Sequence, residues 1–469
     1  MNKIKIYNTL TKEKDLIKPR TGKKINFFIC GPTVYDYSHL GHARTYVIFD
    51  SFVKYLKHSG YSVFYLQNIT DIDDKIIARA REKGVPPKDL ALAFEKEYLT
   101  CMKDLKVTSV KKYARATNYI KEILSQVKRL MDKGYAYEIP GDGIYYNIAK
   151  FKDYGKLSGR TALAAEDAVS RIDYSKNKKN RGDFCLWKFA EEGEPQWPSQ
   201  FGAGRPGWHI EDTAITEKFF GAQYDIHGAA RDLMFPHHEA ELSQMEAISG
   251  KVPMVKYWMH GGFLTVNGQK MSKSLNNFIT ISDFLKRCPY YYLRFLIART
   301  LWSSPMDYSE SAMIEVKAAV EKIVEFLRRL SSIKLAKSAK GSNTKKLTKE
   351  FSINFYAQLD DNFNTPQAFA VMFDFIKEAN KLMDENAISK SEAREIYKIF
   401  TDINKIFEII DLKRIKEAMP VAVKNLVKAR DTARKNKEWE KSDELRLEIE
   451  KHGYHVEDTK DGTIVKKVV

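Results

Sequence analysis

Apolar residues occur along the chain first in short runs and then at helical spacings, which predicts where strands and helices fall. Ile25 to Ile29 is a short β-prone run, read as a buried strand that Gly31 and Pro32 break. Val47, Ile48, Phe52, Tyr55 and Leu56 recur at helical spacing and predict a helix from His39 to Ser59. It starts near Ser38, an N-cap type of residue, or at His39, and Gly60 ends it. Tyr61 to Gln67 reads as a second strand, and the polar loop Asn68 to Lys75 leads into a helix through Lys83. Strand, helix, strand, helix predicts a doubly wound parallel sheet, which binds ligands at the carboxyl ends of its strands. The loops at Cys30 and Thr70 lie at two such ends.

From about Glu122 the pattern changes. A helix to Asp132 precedes a hairpin from Gly134 to Tyr146, turning at Gly141-Asp142-Gly143. Phe151 to Arg181 is polar and irregular and closes on the basic run Lys176 to Arg181, as an insertion in the sheet domain would. Strand character resumes at Phe184 to Lys188. A glycine-rich loop, Gly202 to Asp212, leads into a helix. Tyr224 to Gly228 reads as a short strand. Phe235 to Glu241 opens a helix with Pro236 in its first turn, and Phe263 to Val266 is the last clear strand. After Asp307 the chain reads as helical, with Ala312 to Leu330 amphipathic and Ser331 to Thr348 a Lys- and Ser-rich linker. Helices are expected at Phe351 to Ala357, at Gln367 to Asn380 and onward to about Lys413. Two charged helices, Val423 to Lys435 and Lys437 to His452, precede a tail hairpin turning at Lys460-Asp461-Gly462.

Composition narrows the class. The chain has 469 residues, 43% hydrophobic, too many for one core, so several domains are expected. No uncharged apolar run reaches the roughly eighteen residues of a membrane span, and the N-terminus lacks a signal-peptide core, so the expectation is a cytoplasmic protein. Four scattered cysteines are no disulfide framework. Cys30, right after the first strand, suits metal binding or catalysis; its plainer reading is a buried strand-end residue. The net charge of +17 favours a polyanion, nucleic acid first, although a lysine-rich surface alone would give the same sign.

Candidate chemistry lies in two stretches. His39 and His42 stand three apart at a helix start, on one face, around Gly41. A helix N-terminus favours phosphate, so a strand, a tight turn and this helix make a place to hold ATP; such a histidine pair alone is more often a surface or core feature. Downstream, Lys270-Met271-Ser272-Lys273-Ser274 puts two lysines where they can reach one triphosphate. When a carboxylate attacks the α-phosphorus, the site must place reactants and neutralise developing charge, and these residue types do that.

His-Leu-Gly-His and Lys-Met-Ser-Lys-Ser, about 230 residues apart in one α/β domain with an insertion, resemble the class I aminoacyl-tRNA synthetases. Cys30 to Asp36, Asn68 to Lys75, Gly204 to Glu211, Phe235 to Glu239, Asp361 to Pro366 and Val456 to Thr463 narrow the resemblance to cysteinyl-tRNA synthetases, of bacterial type. The resemblance implies an α/β, Rossmann-type parallel-sheet catalytic domain with a connective insertion. A helical bundle and a small mixed α/β C-terminal unit follow. The implied boundaries are 1–121 and 202–315 for the two catalytic halves, 122–201 for the insertion, 316–415 for the bundle and 416–469 for an anticodon-binding unit.

It also implies roles. His39, Gly41, His42, Lys270, Ser272 and Lys273 would bind ATP, with Mg2+, and His39, His42, Lys270 and Lys273 would carry catalysis. Cys30, Thr70 and Trp208 would bind cysteine. A zinc ion would select the substrate thiolate through Cys30, a second cysteine, His237 and Glu241, so that no editing domain is needed. The implied activity is cysteine–tRNA ligation through cysteinyl-adenylate, by a monomer whose partners are L-cysteine, ATP and tRNA(Cys), with no membrane.

The chain departs from the family at the second cysteine, where Asp212 stands. Either Asp212 replaces the thiolate as a harder ligand, giving Cys30, Asp212, His237 and Glu241, or zinc is lost and Asp212 makes polar contacts only; retention is the favoured reading, and a thiol recruited from Cys185 is conceivable. Ala229 and Ala230 follow His227-Gly228 where glycine is expected, which predicts crowding near the nucleotide. Ala240 removes an amide from the helix. Rival functions are a cysteine:amino-sugar ligase of mycothiol synthesis, which the unit from Val421 to Val469 argues against, and a non-catalytic adenylate- or tRNA-binding paralogue.

Overall fold

The computed structural model describes residues 3–160, 175–272, 275–334, 343–416, 420–459 and 462–467. A hairpin of β1 (Lys5–Asn8) and β2 (Glu13–Leu16) leads into β3 (Lys24–Ile29). Then come α1 (Leu40–His58), β4 (Ser62–Ile69), α2 (Asp74–Lys83), α3 (Pro87–Asp104) and β5 (Lys112–Arg115). Helix α4 (Ile120–Asp132) is followed by β6 (Ala136–Ile139), β7 (Gly143–Tyr146), β8 (Phe184–Phe189) and β9 (Gly204–Pro206), a separate antiparallel sheet. The chain returns through α5 (Ile210–Phe220), β10 (Tyr224–Ala230), α6 (His237–Ser249) and β11 (Val255–Gly261). A small sheet of β12 (Leu264–Val266), β13 (Gln269–Lys270) and β14 (Met306–Tyr308) encloses α7 (Ile281–Arg287) and α8 (Tyr290–Ala298) in sequence.

The rest is helical: α9 (Glu310–Ser332), α10 (Thr344–Asp360), α11 (Thr365–Asp384), α12 (Lys390–Phe407) and the short α13 (Lys413–Lys416). The end comprises α14 (Val421–Lys435), α15 (Trp439–Lys451) and the hairpin β15 (Tyr454–Thr459) and β16 (Gly462–Lys467).

The central sheet runs β11-β10-β3-β4-β5 with every pair parallel. From β3 the chain builds outward to β5, then returns to β3's other side with β10 and β11. That reversal opens a crevice at the carboxyl ends of β3 and β10, where open α/β sheets bind ligands. Strand alternation decides what reaches it. Ile25, Phe27 and Ile29 point into the core that α1 shares through Phe49 and Phe52. Phe28 and Cys30 point to the opposite face, against Ile215 of α5 and Leu242 and Met245 of α6.

A buried guanidinium ties the catalytic sheet to the helical bundle. Arg294 on α8 donates to Asp50 (3.0 Å) and Ser51 (3.1 Å) on α1, to the Leu105 carbonyl after α3 (2.9 Å) and to the Phe407 carbonyl ending α12 (2.6 Å). The segment Asp361 to Pro366 is a second tie. Its Asn362 takes a left-handed φ of 63° and exchanges backbone and side-chain hydrogen bonds with Lys5, Tyr7 and Trp302.

Several expectations are corrected. The N-cap of α1 is His39, not Ser38, because the His39 ring itself accepts the Gly41 N–H. Helix α3 and strands β5 and β11 were not expected. Pro87 reads as a break but occupies the first helical turn, where its missing N–H costs nothing. Lys112 and Arg115 in β5, and Lys256 and His260 in β11, interrupt runs that the sheet nevertheless pairs. Gly204 and Pro206 form β9 rather than a loop: a Cβ at Gly204 would lie 2.3 Å from the Lys188 carbonyl oxygen, so glycine serves close strand approach. Helix α6 begins at His237, with Pro236 as its N-cap rather than in its first turn. Leu264–Val266 is not the last strand of that region; β13 and β14 pair with it. The expected linker is partly helix, since α10 starts at Thr344 with Thr344, Thr348 and Phe351 turned inward and the lysines between them solvated. Residues 335–342 of that stretch, and 161–174 of the expected irregular insertion, lie outside the described residues.

Replacing Arg294 by Met is expected to cost about 3–5 kcal/mol, because Asp50 and three carbonyl or hydroxyl acceptors lose a buried donor. Urea unfolding monitored by tryptophan fluorescence measures it, and a loss below about 1 kcal/mol would show that Lys54, 3.0 Å from Asp50, already compensates the carboxylate.

Candidate active site and metal centre

The loops after β3 and β4 are zipped together. Val34 N–H donates to the Thr70 carbonyl and Thr70 N–H to the Pro32 carbonyl, each at 3.2 Å. Gly31 sits where a Cβ would fall 1.8 Å from the Asn68 carbonyl oxygen, so no other residue fits that approach. Beyond it the chain enters α1. His39 accepts the Gly41 N–H at 3.1 Å through Nδ1, and His42 accepts the His39 N–H at 3.3 Å through Nδ1. The two rings stack at 3.9 Å. Nδ1 is thus an acceptor in both, which puts each neutral ring's proton on Nε2. Burial, then the neighbouring His39, holds His42 well below the ordinary imidazole range. A Cβ at Gly41 would press on His39 at 2.9 Å.

The Lys-Met-Ser-Lys-Ser stretch follows β12 as expected. Lys270 ends β13 and is exposed. Asn277 clasps the loop, accepting the Ser272 N–H at 2.8 Å and donating to the Lys270 carbonyl at 3.1 Å. Met271 lies within van der Waals range of the Gly41 position, so the loop rests on the start of α1. Lys273 lies outside the described residues.

On the other flank of the crevice, α5 and α6 bring acids to Cys30. Asp212, His237 and Glu241 are all buried. His237 Nε2 lies 3.1 Å from Asp212 Oδ2 and 3.2 Å from Glu241 Oε1, and Cys30 Sγ lies 3.9 Å from Glu241 Oε1. His237 and Glu241 meet because they are one helical turn apart. Burial first, then the carboxylates of Glu241 and Asp212, pushes the Cys30 thiol well up; burial and then Asp212 does the same to Glu241. Among the described residues Asp212 Oδ1 and Glu241 Oε2 have no hydrogen-bond partner. Three acidic groups and two orphaned oxygens in one buried cluster are what a dication would relieve. The edges agree: two atoms bound about 2.0 Å from one tetrahedral zinc stand about 3.3 Å apart. These four side chains therefore fit a zinc ion. Cys185 packs with Ile139 and Tyr145 and belongs to neither candidate ligand set among the described residues.

Thr70 and Trp208 border this cluster. Buried Thr70 donates through Oγ1 to Glu211, the residue before Asp212. Trp208 is 38% exposed and stacks on His237 at 4.4 Å. Beneath lies an imidazole layer to which the sequence reading gave no role. His227 and His238 approach Cys30 Sγ at 3.2 and 3.1 Å, and His260 holds His238 Nδ1 at 2.8 Å. Trp258 and His260, two apart on β11, share a face, and that alternation was the available signal. The departures have simple outcomes. Ala229 is buried in the apolar cluster around Phe28 and Cys30, and Ala240 packs in a separate apolar cluster with Ile210 and Ala214.

Comparison with known proteins agrees. Residues 16–318 match the family described as tRNA synthetases class I (C) catalytic domain, 354–410 the DALR domain and 416–465 the cysteinyl-tRNA ligase anticodon binding domain. Relatives include the cysteine–tRNA ligases of Thermoplasma volcanium, 45% identical over 98% of this chain and 99% of that one, and of Thermococcus gammatolerans, 42% identical over 99% of each. These relatives are archaeal and lend nothing to the bacterial-type expectation. In fold the chain is similar to an Agrobacterium radiobacter LeuRS solved with tRNA and LeuAMS (TM-score 0.64, 10% identity, 86% of each chain). It is also similar to Mycobacterium tuberculosis methionyl-tRNA synthetase (TM-score 0.58, 14% identity, 82% of this chain and 90% of that one). With its catalytic and anticodon-binding regions both matched, the chain belongs to the cysteinyl-tRNA synthetase family and is a class I cysteine–tRNA ligase.

Proposed function

We propose that the crevice at the β3–β10 reversal activates cysteine with the ATP phosphates at the N-terminus of α1 and the cysteine side chain at the Cys30 cluster. The observation that supports this is the juxtaposition itself: one short segment, Cys30 to His42, borders both the buried acid cluster and the paired imidazoles. His39 and His42 would donate Nε2–H to the phosphates, and the first-turn amides of α1 would add positive potential. Gly41 keeps the backbone open to the nucleotide. Lys270 and Lys273 would neutralise the triphosphate, with Mg2+, and Ser272 would line it. The cysteine carboxylate attacks the α-phosphorus; a carboxyl-oxygen-to-phosphorus bond forms and the bond to pyrophosphate breaks. The tRNA 3′ end then takes the cysteinyl group and AMP leaves.

Thr70 and Trp208 would bound the amino-acid pocket beside Cys30. A zinc ion on Cys30, Asp212, His237 and Glu241 would supply a sulfur contact that separates cysteine from serine more strongly than pocket shape could. Asp212 matches the charge of a thiolate with a harder atom, so the hold on zinc is weaker than with two thiolates. Catalytic halves at 1–121 and 202–315, an insertion at 122–201 for the acceptor end, a bundle at 316–415 and an anticodon unit at 416–469 complete the reading. Its setting is a cytoplasmic monomer; among the described residues no helix is long and apolar enough to cross a membrane.

Cysteine-dependent pyrophosphate exchange, and charging of purified tRNA with cysteine run beside serine, test the reading. Exchange without any charging of tRNA would favour the amino-sugar ligase, and absence of exchange would favour the non-catalytic paralogue. His42→Asn is expected to lower the exchange kcat by about a hundred-fold with little change in cysteine KM, as for loss of one preorganised donor. The purified protein should carry about one zinc per chain, and Asp212→Cys should bind it about tenfold more tightly in chelator competition.

The imidazole layer sets a pH limit. Burial, then Arg231, pushes His260 down to about 3. Its folded pKa lies below its unfolded value near 6.5, so the stability it contributes is present above pH 6.5 and lost as pH falls toward 3. Denaturation between pH 6.5 and 4 should show His260→Gln losing less stability than the native chain, by up to about 1.4 kcal/mol per pH unit, one proton's worth. Equal slopes would remove His260 from the acid response.

A further inference from the structure

Two four-residue ligand sets lie side by side and share Cys30 and Glu241: one completed by Asp212 and His237, the other by His227 and His238. The first is the outer set. Its His237 stacks on the part-exposed Trp208. The second is the inner set, whose rings pack against the fully buried Trp258, His227 at 4.5 Å and His238 at 5.1 Å. Because the sets share two ligands, one ion can occupy only one of them at a time.

We propose that this chain holds its zinc at the inner position, on Cys30, His227, His238 and Glu241, while the cysteine pocket is empty. The inference rests on the reading that the protein carries zinc, and it adds where the ion rests before substrate arrives.

Three features of the inner set support it. Both imidazoles turn Nε2 to the Cys30 sulfur, at 3.2 and 3.1 Å, so separation by roughly 0.3–0.4 Å would admit a tetrahedral zinc between them. Both have the remote nitrogen held, as metal-bound imidazoles do: His227 Nδ1 lies 2.5 Å from the Tyr224 hydroxyl and His238 Nδ1 lies 2.8 Å from His260 Nε2. The His260 ring is itself fixed at 2.8 Å from Thr9 Oγ1, so the support continues to the β1–β2 connection.

Donor chemistry points the same way. The inner set offers one sulfur, two nitrogens and one carboxylate, a softer set than the outer one with its two carboxylates, and zinc favours nitrogen and sulfur. A second thiolate at position 212 would restore softness to the outer set. Asp212 does not, and the balance moves inward for that reason.

The test is X-ray absorption at the zinc edge on native protein in cysteine-free buffer, with zinc content measured in parallel. The expected result is about one zinc per chain with two imidazoles and one sulfur in the first shell. A shell with a single imidazole overturns the inner position and leaves the zinc reading standing. Absence of zinc overturns both. His237→Gln should leave the resting shell at two imidazoles, and His227→Gln with His238→Gln should reduce it to one, in variants shown to be folded by circular dichroism. The reverse pattern overturns the proposal, and the native measurement decides the matter if the double variant does not fold.

Discussion

The organising constraint is the convergence of a thiol and two carboxylates in a place without water. Burying one unpaired acid is costly, and burying three together is costlier because each raises the others. Cys30, Asp212 and Glu241 nonetheless lie within one ligand sphere with His237, and among the described residues one oxygen of each carboxylate lacks a hydrogen-bond partner. Protons, which burial favours on Cys30 and Glu241, or a cation relieve such a cluster. The crevice between β3 and β10, the tight glycine at position 31 and the helical turn separating His237 from Glu241 all bear on that cluster.

The scaffold separates the paired imidazoles from the Cys30 cluster while keeping them on one segment. His39 and His42 use their Nδ1 atoms to cap their own helix, and Phe278 and Tyr46 flank the two rings. Helix α1 is then anchored at its middle by Asp50, which meets Arg294 from the far side of the domain. The same guanidinium donates to the carbonyls at the ends of α3 and α12, so the histidine-bearing helix and the helical bundle share one buried fixture.

Much of the organisation was legible because it is local. Apolar runs and helical periodicity identified β3, β4, α1 and the two C-terminal helices, and the i,i+4 spacing paired His237 with Glu241. What escaped was what depends on neighbours. Strands β5 and β11 carry lysines or histidines that look solvated in sequence and become sheet members only because β4 and β10 supply partners. Residues 204–206 look like a flexible glycine-rich loop and are a strand, since the absent side chain serves contact with β8 rather than freedom.

By itself the sequence determined the family and the reaction, through motifs shared with the cysteinyl-tRNA synthetases, and that resemblance supplied the ligand candidates at positions 30, 212, 237 and 241. It also exposed the anomaly at Asp212. Only the tertiary structure decided what surrounds Cys30. His227 and His238 reach its sulfur from a different strand and a different helix, roughly two hundred residues away. No pattern of type or period ties them to it, since the register of β10 against β3 and the facing of α6 exist only once the sheet has formed.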